Sequence, residues 1–353
     1  MAHTGDSGDR SDSGGVRAQT TIVVPGAHQM VSLLGSRDEL LSIIEQAFAS
    51  DIHVRGNEIT ISGDPEENAL VVRLFEELLT LLGRGDVLTA DAVERSLAML
   101  RGGADERPAD VLTMNILSSR GRTIRPKTLN QKRYVDAIDA HTVVFGIGPA
   151  GTGKTYLGMA KAVQALQSKQ VNRIILTRPA VEAGERLGYL PGTLYEKIDP
   201  YLRPLYDALH DMIDPESIPR LIASGTIEVA PLAYMRGRSL NDAFIILDEA
   251  QNTSAEQMKM FLTRLGFGSK IVVTGDVTQI DLPSGTKSGL NVVQEILDDI
   301  EDVHFCRLTS SDVVRHRLVS EIVDAYARWD ADNAATRPGP GSRNQQNRRR
   351  AGR

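Results

Sequence analysis

Residues 145–155 read Phe-Gly-Ile-Gly-Pro-Ala-Gly-Thr-Gly-Lys-Thr and contain the pattern Gly-x-x-x-x-Gly-Lys-Thr, which is typical of a phosphate-binding P-loop. An apolar run typical of a buried strand precedes the pattern at 141–147, and helical spacing follows it at 156–166. A strand, a glycine-rich loop and the start of a helix together place several backbone N–H groups around one anion. The residues predicted to bind the phosphates of a nucleoside triphosphate are Gly148, Pro149, Ala150, Gly151, Thr152, Gly153, Lys154 and Thr155.

Two side chains at the end of this loop are expected to act on the phosphates. The ammonium of Lys154 would reach the β- and γ-phosphates, and the hydroxyl of Thr155 would take one position on Mg²⁺. The glycines are needed because a Cβ atom would block the close approach of the backbone to phosphate oxygens. We therefore expect the chain to use a nucleotide together with Mg²⁺.

A second apolar run, residues 243–247, ends in the two acids Asp248 and Glu249. In a P-loop fold, a buried strand that ends in acids brings carboxylates to the phosphate site. Asp248 is expected to hold Mg²⁺ through its water shell. Glu249 is expected to position or deprotonate the attacking water, which indicates hydrolysis rather than transfer to an alcohol.

A third strand-like run, residues 270–274, also ends in polar residues. Gln279 follows it and is predicted to sense the γ-phosphate and report its loss. Taken alone, the segment would be interpreted as a Gly-Asp turn after a strand. Its place beside the two motifs above favours the catalytic interpretation.

The composition of the 353-residue chain is ordinary for a soluble globular protein, with 41% hydrophobic residues, and the length suggests two domains. A net charge of −6 excludes a uniformly basic surface, so contact with nucleic acid would need a local patch. The single cysteine, Cys306, excludes a disulfide framework and is predicted to be a small buried residue at a strand end. The sequence has no signal-peptide pattern and no apolar run long enough to span a membrane, so we expect a cytoplasmic location.

Composition divides the chain into five segments. Residues 1–19 and the arginine-rich residues 331–353 are predicted to be disordered, because they have too few apolar side chains to form a core. The basic tail would either attract RNA and anionic surfaces or only keep the chain soluble. The sequence pattern predicts a small α+β domain at residues 20–101, a linker at 102–128 and a second domain at 129–330.

The small domain has the predicted order helix, strand, strand, helix, which is similar to the core of a KH-type RNA-binding fold. Its two strands, 51–55 and 58–62, flank the turn Gly56-Asn57 and predict a β-hairpin. The Gly-x-x-Gly clamp of that fold is replaced by Gly35-Ser36-Arg37-Asp38, which lacks the second glycine. RNA gripping of the KH kind and a role in docking or oligomerisation therefore both stay open. The basic run 120–127 is either an RNA-backbone contact or a solvated linker.

The second domain alternates strand-like and helical segments, which predicts an α/β fold with a parallel sheet and helices on both faces. The predicted strands are 143–147, 173–177, 226–229, 243–247, 270–274 and 303–307.

Long blocks of this domain resemble the PhoH-like family, of the YbeZ type that carries an N-terminal KH-like domain. The blocks are the P-loop run 148–155, TRPAVEAGERLGYLPGTLYEKIDPYLRPLYDAL at 177–209, APLAYMRGRSLNDAFIILDEAQN at 230–252, VVTGDVTQIDLPSGTKSGL at 272–290 and DVVRHRLV at 312–319. The resemblance covers residues 20–330. It implies a RecA-like P-loop NTPase core that is related to superfamily 1 helicases but has one motor core only.

The resemblance also implies roles for residues outside these motifs. In such relatives a glutamine upstream of the P-loop reads adenine, and Gln131 stands at the matching place, which favours ATP. Because one core cannot form the usual cleft between two motor domains, an arginine from a neighbouring subunit would complete the site. Arg315 is the first candidate and Arg317 the second, whereas an ion pair of Arg315 with Asp312 or a neighbouring acid is the structural alternative.

The family's association with RNA and with the YbeY-type endoribonuclease implies a role in RNA metabolism and ribosomal RNA maturation. Candidate RNA contacts are Thr177 with Arg178, or Arg236 and Arg238, although the last two could instead pair with substrate phosphate or a helix C-terminus. We expect an ATP hydrolase that moves or remodels RNA as a homo-oligomer, for which a hexameric ring is one arrangement. The alternatives are a nucleotide-gated scaffold for a partner endoribonuclease and, less favoured, a P-loop kinase.

Overall fold

The computed structural model describes residues 18–103, 106–119, 121–179, 194–283 and 285–314, with isolated positions at 318, 322, 325, 328 and 329. The chain divides into two units, Met1–Asp312 and Val313–Arg353, and all elements below belong to the first. The predicted disordered segments lie outside the described residues, except that residues 18 and 19 begin the first strand.

The N-terminal part is a three-stranded antiparallel sheet covered by helices, with strand order β1-β3-β2. The predicted hairpin is confirmed, because β2 pairs with β3 across a turn in which Gly56 has a φ of +66°. The third helix begins where Asp64 accepts hydrogen bonds from two backbone N–H groups and proline follows it. The elements are β1 (Ala18–Val23), α1 (Ala27–Leu34), α2 (Glu39–Ala47), β2 (Asp51–Arg55), β3 (Glu58–Gly63), α3 (Pro65–Gly83), α4 (Ala90–Arg101) and α5 (Pro108–Thr113).

The segment predicted as a linker, 102–128, is ordered where the structure describes it. Helix α5 lies in this segment, and its residues Ala109 and Val111 are fully buried in the N-terminal core. A short hairpin of β4 (Leu117–Ser119) and β5 (Arg122–Ile124) follows, and Leu117 belongs to the core of the next domain. The linker prediction does not match this part of the chain, because elements of three to six residues are too short to show a periodic pattern.

The second part is a six-stranded sheet in which every neighbouring pair is parallel, in the order β11-β6-β10-β9-β7-β8. This confirms the predicted α/β class, and the predicted strands match within two residues. The elements are α6 (Leu129–Ala140), β6 (Val143–Ile147), α7 (Lys154–Gln167), β7 (Arg173–Arg178), α8 (Leu194–Met212), α9 (Ile218–Ala223), β8 (Ile227–Pro231), β9 (Ala243–Leu247), α10 (Ala255–Leu262), β10 (Lys270–Gly275), α11 (Gly289–Leu297) and β11 (Val303–Arg307).

Alternation along each strand builds one core on each face of this sheet. Val144 and Ile246 face a core that includes α6 and α7, whereas their neighbours Phe145 and Ile245 face a core that includes α10 and α11. The inner strands β6, β9 and β10 are buried on both faces, which explains their largely apolar sequences. Cys306 is buried near the end of β11, as predicted, and burial raises the pKa of its thiol to about 11.

The strand order determines where the functional loops meet. β10 lies between β6, which leads into the P-loop, and β9, which leads into Asp248. Because the strands are parallel, their carboxyl ends share one edge of the sheet, and ligands of open α/β sheets bind at that edge. Within the described part of the chain, no helix is both long and apolar enough to span a membrane.

Candidate active site

The P-loop leaves β6 and turns back into α7 over six residues, and the local backbone depends on its glycines. Gly151 and Gly153 have φ angles of +83° and +79°, in the left-handed region that side chains disfavour. Gly148 lies against β11, since a Cβ there would be 2.4 Å from the carbonyl oxygen of Leu308. The N-terminus of α7 and its unpaired N–H groups therefore surround a concave loop, which suits a phosphate group.

Lys154 occupies this concavity. Its Nζ donates hydrogen bonds to the carbonyl oxygens of Gly148 at 2.6 Å and Pro149 at 2.7 Å, and to Thr152 Oγ1 at 3.2 Å. Burial lowers the pKa of this ammonium, and the nearby carboxylates Asp276, Asp248 and Glu249 partly offset that effect. A buried cation held by loop carbonyls can exchange those partners for phosphate oxygens, which are stronger acceptors.

Thr155 and Asp248 meet as the two motifs predicted. Thr155 Oγ1 donates to Asp248 Oδ1 at 2.7 Å, and Thr274 Oγ1 donates to the same oxygen at 2.8 Å. A hydroxyl and a carboxylate are oxygen ligands of the kind that Mg²⁺ takes, and the ion commonly binds through one or two carboxylates plus substrate phosphates. The residues present therefore fit a nucleotide-bound Mg²⁺.

Glu249 follows directly and has an uncommon backbone. Its φ of +53° lies in the left-handed region, which non-glycine residues adopt rarely and mainly where the surroundings enforce it. One carboxylate oxygen accepts a hydrogen bond from Gln251 Nε2. The other lies 3.7 Å from Nη2 of Arg178, at the end of the adjacent strand β7. The strained backbone thus aims this carboxylate into the cleft between β9 and the P-loop.

The third predicted segment also reaches the cleft, and it carries an acid that sequence reasoning did not assign. Asp276 is 6% exposed. Its carboxylate accepts hydrogen bonds from Thr278 and, at 3.0 Å, from Nε2 of Gln279, and its N–H donates to Gln251 Oε1 at 3.0 Å. Gln251 therefore links Glu249 to the Asp276 backbone. An acid after a buried parallel strand was the signal that could have identified Asp276.

These groups line one cleft of about 270 Å³ at the carboxyl edge of the sheet. Lys154, Thr155, Asp248, Glu249 and Gln279 all contribute to it. The structure therefore brings together the main groups predicted from the three motifs. Tyr156, which follows Thr155 on α7, forms part of the wall of the cleft.

Gln131 lies beside the P-loop, but its amide is occupied by backbone groups. Nε2 donates to the carbonyl of Thr152 at 3.0 Å, and Oε1 accepts from the N–H of Lys127 at 2.7 Å. The side chain is only 2% exposed. Contact with adenine would require this amide to change partners, so the role in reading adenine stays a prediction.

The predicted arginines have different surroundings. Arg315 and Arg317 lie outside the described residues. Arg238 forms a two-pronged ion pair with Glu228, with distances of 2.6 Å and 2.8 Å. That pairing raises the pKa of Arg238 and engages its guanidinium within the fold. Arg236, two residues earlier, is exposed.

Comparison with known proteins agrees with the site geometry. A family model described as PhoH-like protein matches residues 123–327. A PhoH-like protein of Mycobacterium tuberculosis (strain ATCC 25618 / H37Rv) is 69% identical over 318 residues, which cover 89% of this chain and 90% of the relative. The PhoH-like protein of Mycobacterium leprae is 64% identical over 98% of this chain and 99% of its own length. That of Bacillus subtilis is 51% identical over 84% and 94%.

Among solved structures, the Pif1 helicase of Candida albicans is 15% identical, with a TM-score of 0.30 over 56% of this chain and 42% of that chain. Similarity at that level supports no functional conclusion. The family model and the three relatives, which extend over most of the sequence, show the family. The chain belongs to the PhoH-like protein family.

Proposed function

We propose that this protein hydrolyses ATP with Mg²⁺ and that RNA binding stimulates the hydrolysis. The observation that carries the hydrolytic part is the convergence of Lys154, Asp248 and Glu249 in one cleft. The first two suit phosphate and Mg²⁺ binding, which a kinase would also need. Glu249 supports hydrolysis specifically, since activation of water requires a group that accepts its proton.

Each residue has a distinct task in this proposal. The ammonium of Lys154 and the N–H groups at the start of α7 bind the phosphates, while Thr155 and Asp248 hold the metal. Bound Mg²⁺ would neutralise charge that develops on the phosphate oxygens. The carboxylate of Glu249 orients a water molecule and accepts its proton as the water attacks. Gln279, held by Asp276, is the group we expect to respond when the γ-phosphate leaves.

The ion pair between Glu249 and Arg178 supports coupling to RNA. It is partly exposed, since the Arg178 side chain is 22% exposed and that of Glu249 is 33% exposed. An RNA phosphate competes well for an arginine, because it offers a doubly hydrogen-bonded contact. RNA that engages Arg178 would release Glu249 for its task with water. This links the predicted RNA contact to the hydrolytic carboxylate.

A second surface supports RNA binding as well. Arg236 is exposed, and Tyr234 nearby is 38% exposed, in the loop that follows β8. A cation next to an exposed aromatic ring suits single-stranded nucleic acid, since bases stack on the ring while phosphates contact the cation. Ribosomal RNA maturation with a YbeY-type endoribonuclease is the physiological setting that we propose.

The KH-like domain fits a docking or oligomerisation role better than an RNA clamp. Asp38, where the clamp has its second glycine, has a φ of +60°. The loop thus retains left-handed geometry but carries an anion at that position. A carboxylate opposes the approach of an RNA phosphate, because like charges repel.

Replacement of Arg178 by alanine is expected to raise ATP turnover without RNA and to reduce the stimulation by RNA. The rise should be about two- to fivefold, the factor that corresponds to a partly exposed ion pair. Steady-state turnover with and without single-stranded RNA measures both effects. The control is Arg220→Ala, an exposed arginine on α9 that does not line the cleft, which should behave as the unmodified protein does.

Turnover that is indifferent to RNA in the unmodified protein would contradict the RNA-driven proposal. The alternative is a nucleotide-gated scaffold that delivers a partner endoribonuclease. ATP-dependent capture of that partner by the Glu249→Gln protein, without duplex unwinding, would support it.

The proposal includes a homo-oligomer, for which a hexameric ring is one arrangement, with Arg315 acting on the neighbouring subunit's nucleotide. A mixture of Arg315→Ala and Glu249→Gln subunits is then expected to regain activity that neither variant has alone. In such a mixture, some intact Glu249 sites face an intact Arg315. Mass photometry would verify that mixed oligomers form. An inactive mixture in verified mixed oligomers contradicts sharing of the site.

A further inference from the structure

Asp312 is a buried carboxylate that no part of the proposed chemistry uses. It is 2% exposed. Oδ1 accepts a hydrogen bond from Thr128 Oγ1 at 2.6 Å, and Oδ2 accepts from Asn130 Nδ2 at 3.0 Å and from the N–H of Thr309 at 2.7 Å. No cation pairs with it within the residues the structure describes. Among the residues that the structure describes, neutral donors alone therefore satisfy this carboxylate.

One of these side-chain contacts and one contact of the Asp312 backbone lead to Gln131. The Thr128 hydroxyl donates to Asp312, and its oxygen accepts the N–H of Gln131 at 3.2 Å as the cap of α6. The carbonyl oxygen of Asp312 also accepts from Gln131 Nε2 at 3.4 Å. That same Nε2 donates to the carbonyl of Thr152 in the P-loop. Asp312 thus contacts the start of α6 through its carboxylate and the Gln131 amide through its backbone carbonyl.

The contact at Thr152 has a consequence for phosphate binding, because the peptide group is planar. The carbonyl of Thr152 and the N–H of Gly153 belong to one trans peptide, so they point in opposite directions. A hydrogen bond that fixes the carbonyl therefore fixes the direction of the N–H. The backbone N–H groups of this loop are the ones that cradle phosphates. The amide of Gln131 also packs closely here, since a Cβ on Gly153 would lie 3.3 Å from its Nε2.

We propose that Asp312 is a positioning residue for nucleotide binding: through Thr128 and Gln131 it orients the Thr152–Gly153 peptide so that the Gly153 N–H faces the phosphates. This inference rests on the proposed function, because it assumes that the P-loop binds a nucleotide. It gives the chain after β11 a role in the P-loop, although Asp312 and Gly153 are far apart in sequence.

The first test compares Asp312→Ala with Asp312→Asn in binding a fluorescent ATP analogue. Alanine removes the acceptors and should weaken binding about tenfold or more, the effect of losing one or two hydrogen bonds. The Kd of Asp312→Asn should stay within about threefold of the unmodified value. The amide oxygen still accepts from Thr309 and Asn130, and the amide nitrogen donates to the Thr128 hydroxyl, which can act as an acceptor instead of a donor. Asp302→Ala is the control, because its carboxylate accepts a backbone N–H, that of Thr142, at the other edge of the sheet.

A double-mutant cycle with Gln131→Ala tests the route. Asp312→Ala should weaken binding no further once Gln131 is alanine, whereas Asp302→Ala should have the same small effect in both backgrounds. If the two substitutions raise the Kd independently, so that their fold-changes multiply in the double variant, the inference is overturned. Unchanged binding by Asp312→Ala would overturn it as well. The unfolding temperatures of the same four proteins are measured in parallel. If Asp312 acts by positioning, these temperatures should not show the coupling between the two substitutions that binding shows. If the unmodified protein itself fails to bind the analogue, the proposed function fails instead.

Discussion

Replacement of Lys154 by alanine is expected to abolish ATP turnover and to leave the fold intact. The ammonium is the cation that the P-loop surrounds, and it is only 8% exposed. Removal of one preorganised donor to developing charge lowers kcat by roughly 10²–10³-fold in a water-excluded site. We expect the larger value, because a full positive charge is lost together with its hydrogen bonds.

The same substitution should not lower stability in the absence of nucleotide. Burial lowers the pKa of Lys154 below its usual 10.5, so the folded state holds the charged form less favourably than the unfolded chain does. The resulting destabilisation is present at neutral pH and decreases as the pH rises through the folded-state pKa towards the unfolded value. An alanine removes it. The alanine also loses the three hydrogen bonds of the ammonium, so the unfolding temperature of the nucleotide-free variant should stay close to that of the unmodified protein.

Lys161 provides the matched control, since it is another buried lysine of α7 but lies away from the loop. Its Nζ pairs with Asp139 at 2.6 Å. Lys161→Ala should lower the unfolding temperature and leave turnover near normal, the reverse of the result for Lys154→Ala. Turnover by Lys154→Ala at the unmodified rate would refute the assignment of the phosphate site.

The sheet and the main motif residues were predictable because the information is local. The inner strands β6, β9 and β10 of the second domain are largely apolar runs, and a strand buried on both faces requires that composition. The P-loop pattern likewise indicates the local backbone geometry, because the positive φ angles of residues 151 and 153 favour the glycines found there. The acids after β9 follow from the rule that such sheets bind ligands at the carboxyl ends of their strands.

The partners of the site residues were not predictable, because they depend on strand order. Gln251 can link Glu249 to Asp276 only because β10 lies next to β9, and no local sequence pattern predicts that these two strands are neighbours. Arg178 reaches Glu249 for the same reason, through the pairing of β7 with β9. The sequence placed Gln131 near the P-loop but could not show that its amide contacts the loop backbone.

Replacement of Glu249 by glutamine is expected to retain ATP binding and to block hydrolysis. The amide is almost the same size, so it keeps an oxygen that can accept from Gln251. It cannot accept a proton from water, and loss of a general base lowers the rate by about 10²–10⁴-fold. The Kd for a fluorescent ATP analogue should stay within about threefold, which corresponds to less than 1 kcal/mol of binding free energy.

Single-turnover hydrolysis separates this loss from any effect on product release. Glu256→Gln is the control, since Glu256 is an exposed acid at the start of α10 that contacts Ser254. An unchanged rate in Glu249→Gln would transfer the task to Asp276, which lines the cleft besides Glu249 and the proposed metal ligand Asp248 and already holds Gln279. Loss of both binding and turnover would instead assign Glu249 to nucleotide binding. A selective loss of the chemical step is the result that identifies Glu249 as the residue that activates water.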